Sequence, residues 1–206
     1  MNIYTEFCLP HLTNCVCGLE PLNRQRELIV PLARGRVLEV GMGTALNLPF
    51  YDRERVTCLW GLEPSPGMRR AARTNVRQSG MPVRWLDLPA GAIPLEDESV
   101  DTVLSTFTLC SIADLRGALA EMRRVLAPGG RLLFCEHGAA PDARVLHWQR
   151  RITPWWRRVA GGCRLDRPIP QLIEGSGFRV VALDARYMEG VPRLAGYTYR
   201  GWAEKG

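Results

Sequence analysis

The sequence predicts one α/β domain built on a mostly parallel sheet of seven strands, with helices on both faces and an antiparallel pair at one edge. Three observations predict it. Short β-like apolar runs alternate with helix-period runs from residue 36 to residue 136, the pattern of strands joined by crossover helices. The first of these runs ends in a glycine-rich turn. Beyond residue 177 the pattern changes to two β-like runs with only a loop between them, as in an antiparallel pair. With 206 residues there is chain enough for a single well-filled core.

Each element has its own signal. Residues 1–34 read as an N-terminal cap. Within it, residues 21–34 carry Leu22, Leu28, Ile29 and Leu32 at helical spacing with Arg24 and Arg26 outward, and Pro31 is expected to kink or end the helix. Residues 36–40 form the first strand and Val56–Leu62 the second, which closes on Glu63. Residues 67–78 read as a helix, 82–86 as the third strand and Val100–Thr106 as the fourth. Residues 113–126 are an amphipathic helix, with Leu115, Leu119, Met122, Val125 and Leu126 on one face, stopped by Ala127-Pro128-Gly129-Gly130. Residues 131–136 are the fifth strand. Residues 35–137 thus make the core of the domain and 138–170 an insertion. Residues 171–206 add a helix and the strands 178–183 and 197–202.

Composition excludes more than it selects. No apolar run reaches the roughly eighteen residues needed to cross a bilayer. The first residues lack the charged lead and apolar stretch of a secretory signal, so a cytoplasmic location is expected. The formal net charge of +6 is carried mostly by arginine and reads as a solvated surface; no nucleic-acid-binding signature accompanies it. The seven cysteines are scattered, which argues for free thiols. His11, Cys15 and Cys17 are close in sequence but lack the usual zinc spacing, so buried apolar cysteines and no metal are expected there. The oligomeric state is not legible.

The turn Glu39-Val40-Gly41-Met42-Gly43-Thr44-Ala45 follows the first strand, where ligands bind in open α/β sheets. The dinucleotide fingerprint needs a glycine at its sixth place, and that place is Leu46. Glu63, twenty residues beyond Gly43 at the end of strand two, is placed to accept two ribose hydroxyls.

This arrangement resembles the E/D-x-G-x-G-x-G loop of class I S-adenosyl-L-methionine (AdoMet) methyltransferases, with Ala45 in place of the third glycine. The resemblance covers residues 36–137 and implies a Rossmann-like fold and AdoMet as cofactor. It implies that Glu39, Gly41 and Gly43 face the methionine moiety and that Glu63 with Pro64 takes the ribose. Leu88, Pro89 and Ala90 should lie against the adenine, with Pro89 standing where many relatives carry an acid. Ser105 and Thr106 should approach the methionine end.

A narrower resemblance rests on residues 105–112 (STFTLCSI), Cys135-Glu136-His137, Trp148-Gln149, Trp155 and Gly162-Cys163-Arg164-Leu165-Asp166. It is to the thiol S-methyltransferase-like group and implies S-methylation of a small thiol. The alternatives are a phospholipid N-methyltransferase, a quinone-ring C-methyltransferase, or a non-catalytic AdoMet-binding module. A thiol with a pKa of about 8.5 needs only modest help to ionise. His137 is the candidate base, its other reading being a histidine that holds a loop. Asp166 is the second candidate, its other reading being an ion pair with Arg164 or Arg167. Cys110 and Cys163 are read as lining a soft pocket for sulfur. Residues 145–159 place Trp148, Ile152, Trp155 and Val159 on one face and arginines on another. They are read as a substrate lid of two short helices bent at Thr153 before Pro154, with contact to a membrane surface through residues 148–159 as the other reading. Tyr4, Phe7 and His11 are expected to close the pocket from the other side.

Overall fold

Strands dense in β-branched and leucine side chains lie at the centre of this chain, covered on both sides, because their alternate residues feed two separate apolar layers. The computed structural model describes residues 3–206. In β1 (Gly35–Val40) Val37 and Leu38 point to opposite faces, and both are fully buried. The layer on one face joins Leu38 and Val40 to Val103, Leu132 and Phe134; the other joins Val37 to Leu59, Leu104 and Leu133.

The remaining strands are β2 (Val56–Leu62), β3 (Arg84–Leu86), β4 (Val100–Thr106), β5 (Leu126–His137), β6 (Phe178–Tyr187) and β7 (Tyr197–Lys205). Their order is β3-β2-β1-β4-β5-β7-β6. The first five strands in that order pair in parallel, and β7 runs antiparallel to both β5 and β6. The predicted sheet is therefore present, with its antiparallel pair closing the β5 side. The direction of winding reverses between β1 and β4, so the crevice at their carboxyl ends is where a ligand binds in such a sheet.

The helices are α1 (Leu9–Cys17), α2 (Glu20–Ile29), α3 (Pro66–Ser79), α4 (Leu115–Val125), α5 (Ala143–Val159), α6 (Ile169–Glu174) and the four-residue α7 (Arg193–Gly196). α4 buries Leu115, Ala118, Leu119, Met122 and Val125, each large side chain contributing roughly 1.5–3 kcal/mol. Asp114 caps it by accepting from the Gly117 N–H at 3.0 Å. α3 starts on Ser65, which accepts from the Met68 N–H, and stops at Gly80, whose φ of +63° is left-handed.

Three expectations are corrected. Arg26, read as outward, is 3% exposed and bonded to Asn47. α5 is continuous through Pro154 instead of splitting into two short helices at Thr153. Proline leaves the Arg150 carbonyl without its helical donor, but both residues are exposed, so water can serve that carbonyl. The predicted aromatic face does not pack either: Trp148 and Trp155 are 48% and 70% exposed. The buried face of α5 is Gln149 and Thr153. Gln149 accepts from the Ala140 N–H at 2.9 Å and donates to the carbonyls of Gly138 and Leu194, each at 3.0 Å. Among the described residues no helix is long and apolar enough to cross a membrane.

Candidate active site

At the end of β1 the chain must turn away sharply while holding the next residues near the crevice. Gly41 and Gly43 do so with φ of +69° and +55°. The N–H groups of Gly41 and Met42 donate to the Leu62 carbonyl at 2.8 and 3.1 Å, tying the turn to β2. Ala45, in place of a third glycine, also takes a positive φ of 64°. The alanine is fully buried, so its methyl recovers in packing part of the roughly 1 kcal/mol that this conformation costs.

The two glycines differ in purpose. A Cβ on Gly41 would overlap the side chain of Thr108, whose hydroxyl donates to the Gly41 carbonyl at 3.1 Å. A Cβ on Gly43 would enter open space, with nothing nearer than 3.9 Å. Gly43, more than Gly41, is therefore the residue whose missing side chain leaves room for a ligand.

Glu63 leaves β2 beside this turn. One carboxylate oxygen accepts the Gly43 N–H and the other the Ser65 N–H, both at 2.9 Å. Burial raises its pKa, and the two N–H groups, with Arg69 nearby, hold it down. Each oxygen keeps lone pairs for a further donor, as two ribose hydroxyls require.

Glu39 lies beneath the turn, 2% exposed. It accepts from the Tyr51 hydroxyl at 2.6 Å and from the Asn47 amide at 2.9 Å. Burial pushes its carboxyl up to about 7, against the pull of those bonds and of Arg26. Asn47 links this acid to Thr106 at 2.9 Å and to Arg26 at 3.0 Å.

All of this opens onto one cavity of about 940 Å³, near the top of the range of about 300–1,000 Å³ for small-molecule sites. Of the predicted cofactor residues, Glu39, Gly41, Gly43, Glu63, Pro64, Pro89, Ala90 and Thr106 line it. Leu88 does not and is 40% exposed. Ser105 is fully buried behind the wall, donating to Glu136 at 2.9 Å. Glu136, at the end of β5, also accepts the N–H groups of Thr108 and Leu109 at 2.9 and 3.0 Å and so anchors the loop after β4. Burial, then the neighbouring Cys110, pushes its carboxyl up to about 8, against those three donors.

The helices on the far side add apolar side chains to the wall. Leu9, Leu12 and Val16 of α1 contribute, as do Trp156 and Val159 of α5. Tyr4 closes the N-terminal segment against α5 by donating to the Val159 carbonyl at 2.5 Å. Phe7 instead stacks outside on Arg70, and His11 is exposed and absent from the lining. Cys17 faces the cavity half-buried and Cys15 is exposed, so the expected burial of this pair does not occur.

His137 lines the cavity together with Cys110 and Cys163, and one ligating atom from each lies within 4.8 Å of the others. His137 Nε2 is 3.1 Å from Cys163 Sγ, which also accepts from the Trp156 indole at 3.2 Å. Contact with the Cys163 thiol draws the Cys110 thiol well below its ordinary value against burial, and His137 adds to the pull. Burial pulls the His137 imidazole down, but the charge and hydrogen bond of Cys110 and the charge of Glu136 together outweigh it, and the net shift is upward. Asp166 is outside the wall, paired with Arg164 at 3.3 Å, which removes it as a second base. The linkage of Arg26, Asn47 and Thr108 to the site was not anticipated. Neither Asn47 nor Arg26 stands in a motif: Asn47 showed only as a polar residue in an apolar setting, and Arg26, among polar neighbours, gave no signal.

Comparisons agree with this geometry. A methyltransferase domain family matches residues 38–134. The thiol S-methyltransferase TMT1B of Rattus norvegicus is 34% identical over 157 residues, 72% of this chain and 62% of that protein. Its Homo sapiens counterpart is 33% identical over 174 residues, 79% of this chain and 70% of that protein. The demethylmenaquinone methyltransferase of Thermus thermophilus is 31% identical over 73% of this chain and 71% of its own length. An S-adenosylmethionine-dependent methyltransferase from Mesorhizobium loti superposes with a TM-score of 0.67 at 15% identity, covering 91% of this chain and 99% of its own. The cofactor is AdoMet, and the chain belongs to the class I AdoMet-dependent methyltransferases, in the thiol S-methyltransferase-like subgroup.

Proposed function

We propose that this methyltransferase acts on the sulfur of a small, apolar thiol. The observation that carries the reading is the Cys110–His137–Cys163 trio in the wall of a cavity to which α1 and α5 contribute leucine, valine and tryptophan. The thiol S-methyltransferases aligned over most of the chain support the same acceptor.

Bound AdoMet supplies an electrophilic methyl on a sulfonium and leaves as a neutral thioether, so the protein has little charge to stabilise as it departs. Its work is alignment and exclusion of water. Glu63 and the Gly41–Gly43 turn would hold the cofactor, and the space beside Gly43 suits its close approach. Thiolate formation is assigned to His137 and its two cysteine neighbours acting together. The apolar wall from α1 and Trp156 favours a hydrophobic acceptor over a charged amine.

The test is turnover. Purified protein with methyl-labelled AdoMet is offered alkyl and aryl thiols, hydrogen sulfide, amines, phosphatidylethanolamine vesicles and a demethylated quinol. Thiols are expected to be methylated fastest. Inert thiols beside a reactive quinol or lipid amine would overturn the acceptor and leave the methyltransferase standing.

A further inference from the structure

Two buried thiols and an imidazole converge where the mechanism needs only a thiolate, and that is more than a simple base requires. In zinc enzymes whose metal takes part in chemistry, three protein ligands leave a fourth position open, and Cys2His is one such donor set. Tetrahedral zinc with Zn–S of about 2.3 Å and Zn–N of about 2.0 Å sets its ligands roughly 3.5–3.8 Å apart. Here the three ligating atoms all lie within 4.8 Å, with Nε2 and Sγ of Cys163 at 3.1 Å. Side-chain shifts of less than an ångström suffice.

We propose that Cys110, Cys163 and His137 bind a zinc-like dication, with its fourth position left to the cavity. Binding releases one proton from each thiol, and two thiolates, both on buried cysteines, neutralise the dication. The surroundings suit that charge. The Trp156 N–H donates to Cys163 Sγ, and Ser111 Oγ lies 3.5 Å from Cys110 Sγ. His137 Nδ1 is shut off from solvent and has no hydrogen-bond partner, so the imidazole's one engaged nitrogen is the one facing the thiol pair.

The use of the open position rests on the thiol reading above. An acceptor thiol would enter it as thiolate, giving its proton to solvent. After methyl transfer the neutral thioether, a weaker ligand, would leave. His137 is then a ligand and not the proton acceptor.

The test uses the full chain, purified under reducing conditions, stripped with a chelator and titrated with Co2+ as a coloured stand-in for Zn2+. One equivalent should bind and give an intense thiolate-to-cobalt charge-transfer band. Cys163→Ser and Cys110→Ser should each weaken binding at least tenfold and bleach that band, while Cys8→Ser and Cys15→Ser leave it intact. Circular dichroism of the metal-free variants confirms their fold. No stoichiometric binding, or an unchanged band in a folded Cys110→Ser/Cys163→Ser protein, overturns the site. An added alkyl thiol should shift the cobalt spectrum. If it does not, while metal-free protein still methylates thiols at the full rate, the open position is overturned although the metal site stands. A site that binds Co2+ in a protein that methylates no thiol supports the metal and defeats the acceptor.

Discussion

Glu63 Oε2 accepts the N–H of Gly43 at 2.9 Å, so the acid that would hold the ribose also holds the turn that would face the methionine. Removing it strikes both. Glu63→Ala should lower AdoMet affinity by about tenfold or more, since each charge-assisted bond lost is worth roughly 1.5–3 kcal/mol. Glu63→Gln, which retains an acceptor for one N–H, should fall between. Titration calorimetry with AdoMet measures both, and unchanged affinity in Glu63→Ala would remove the residue from the site.

The glycine pair should separate under mutation. Gly43→Ala adds a methyl to open space at a φ that Ala45 shows to be tolerable, so it should fold at a cost of about 1 kcal/mol yet bind AdoMet poorly. Gly41→Val should instead lower stability by several kcal/mol, on the order of an overpacked core, because its side chain collides with Thr108. Denaturant unfolding beside ligand titration tells the two apart. Gly41→Val with normal stability would refute the packing role.

Gln149 is the anchor of α5. Gln149→Ala would strand the Ala140 N–H and the carbonyls of Gly138 and Leu194, and should cost on the order of 2–4 kcal/mol. Urea denaturation is the check, and a loss below about 1 kcal/mol would show that water replaces the amide.

Trp155 and Trp156 are neighbours with opposite expectations. Trp156→Ala opens the cavity wall and removes the donor to Cys163, so KM for an alkyl thiol should rise by about tenfold. Trp155→Ala, at a side chain 70% exposed, should stay close to the parent in the same steady-state assay. Equal effects would mean that the aromatic stripe turns inward during turnover.

Glu39 gives the fold a pH dependence. Its folded pKa of about 7 lies above the ordinary value of 4.5, so the folded state holds a proton that the unfolded chain has already released. That contribution is complete below about pH 4.5 and is lost as pH rises through about 7, an effect on the order of 3 kcal/mol. The melting temperature of ligand-free protein should fall from about pH 6 to about pH 8, and Glu39→Gln should flatten the fall. Parallel profiles for the two proteins would show that Glu39 is ionised throughout.

The sheet was legible because each strand carries its own burial pattern and the turn after β1 its own glycines. So were the acids at the ends of β1 and β2, whose spacing is set by the crossover between them. What escaped depends on contacts between distant residues. Ser105 reads like Thr106, yet strand alternation sends one hydroxyl to Glu136 and the other to Asn47. The stripe of tryptophans on α5 has the form of a packed face, but a glutamine with three backbone partners decides which side is buried. Asp166 lies two residues from Arg164, and that local pair keeps it from the cavity. Cys110, Cys163 and His137 were each noticed, but nothing in their spacing shows that they meet.

The placement of β7 separates the two halves of this site in time. The turn after β1 and Glu63 depend on β1, β2 and β4, whose contacts span residues 35–106. His137 pairs with Thr198 and Glu136 with Tyr199, some sixty residues further along. The β1–β4 pairing closes a loop of similar length, but residues 197–205 are made long after residues 35–106, so their pairing comes later. As the chain emerges during synthesis, the cofactor half can take shape while the acceptor half still waits for its strand. A folding intermediate able to hold AdoMet would therefore have no ordered acceptor wall, and methyl transfer would begin only when the fold is complete.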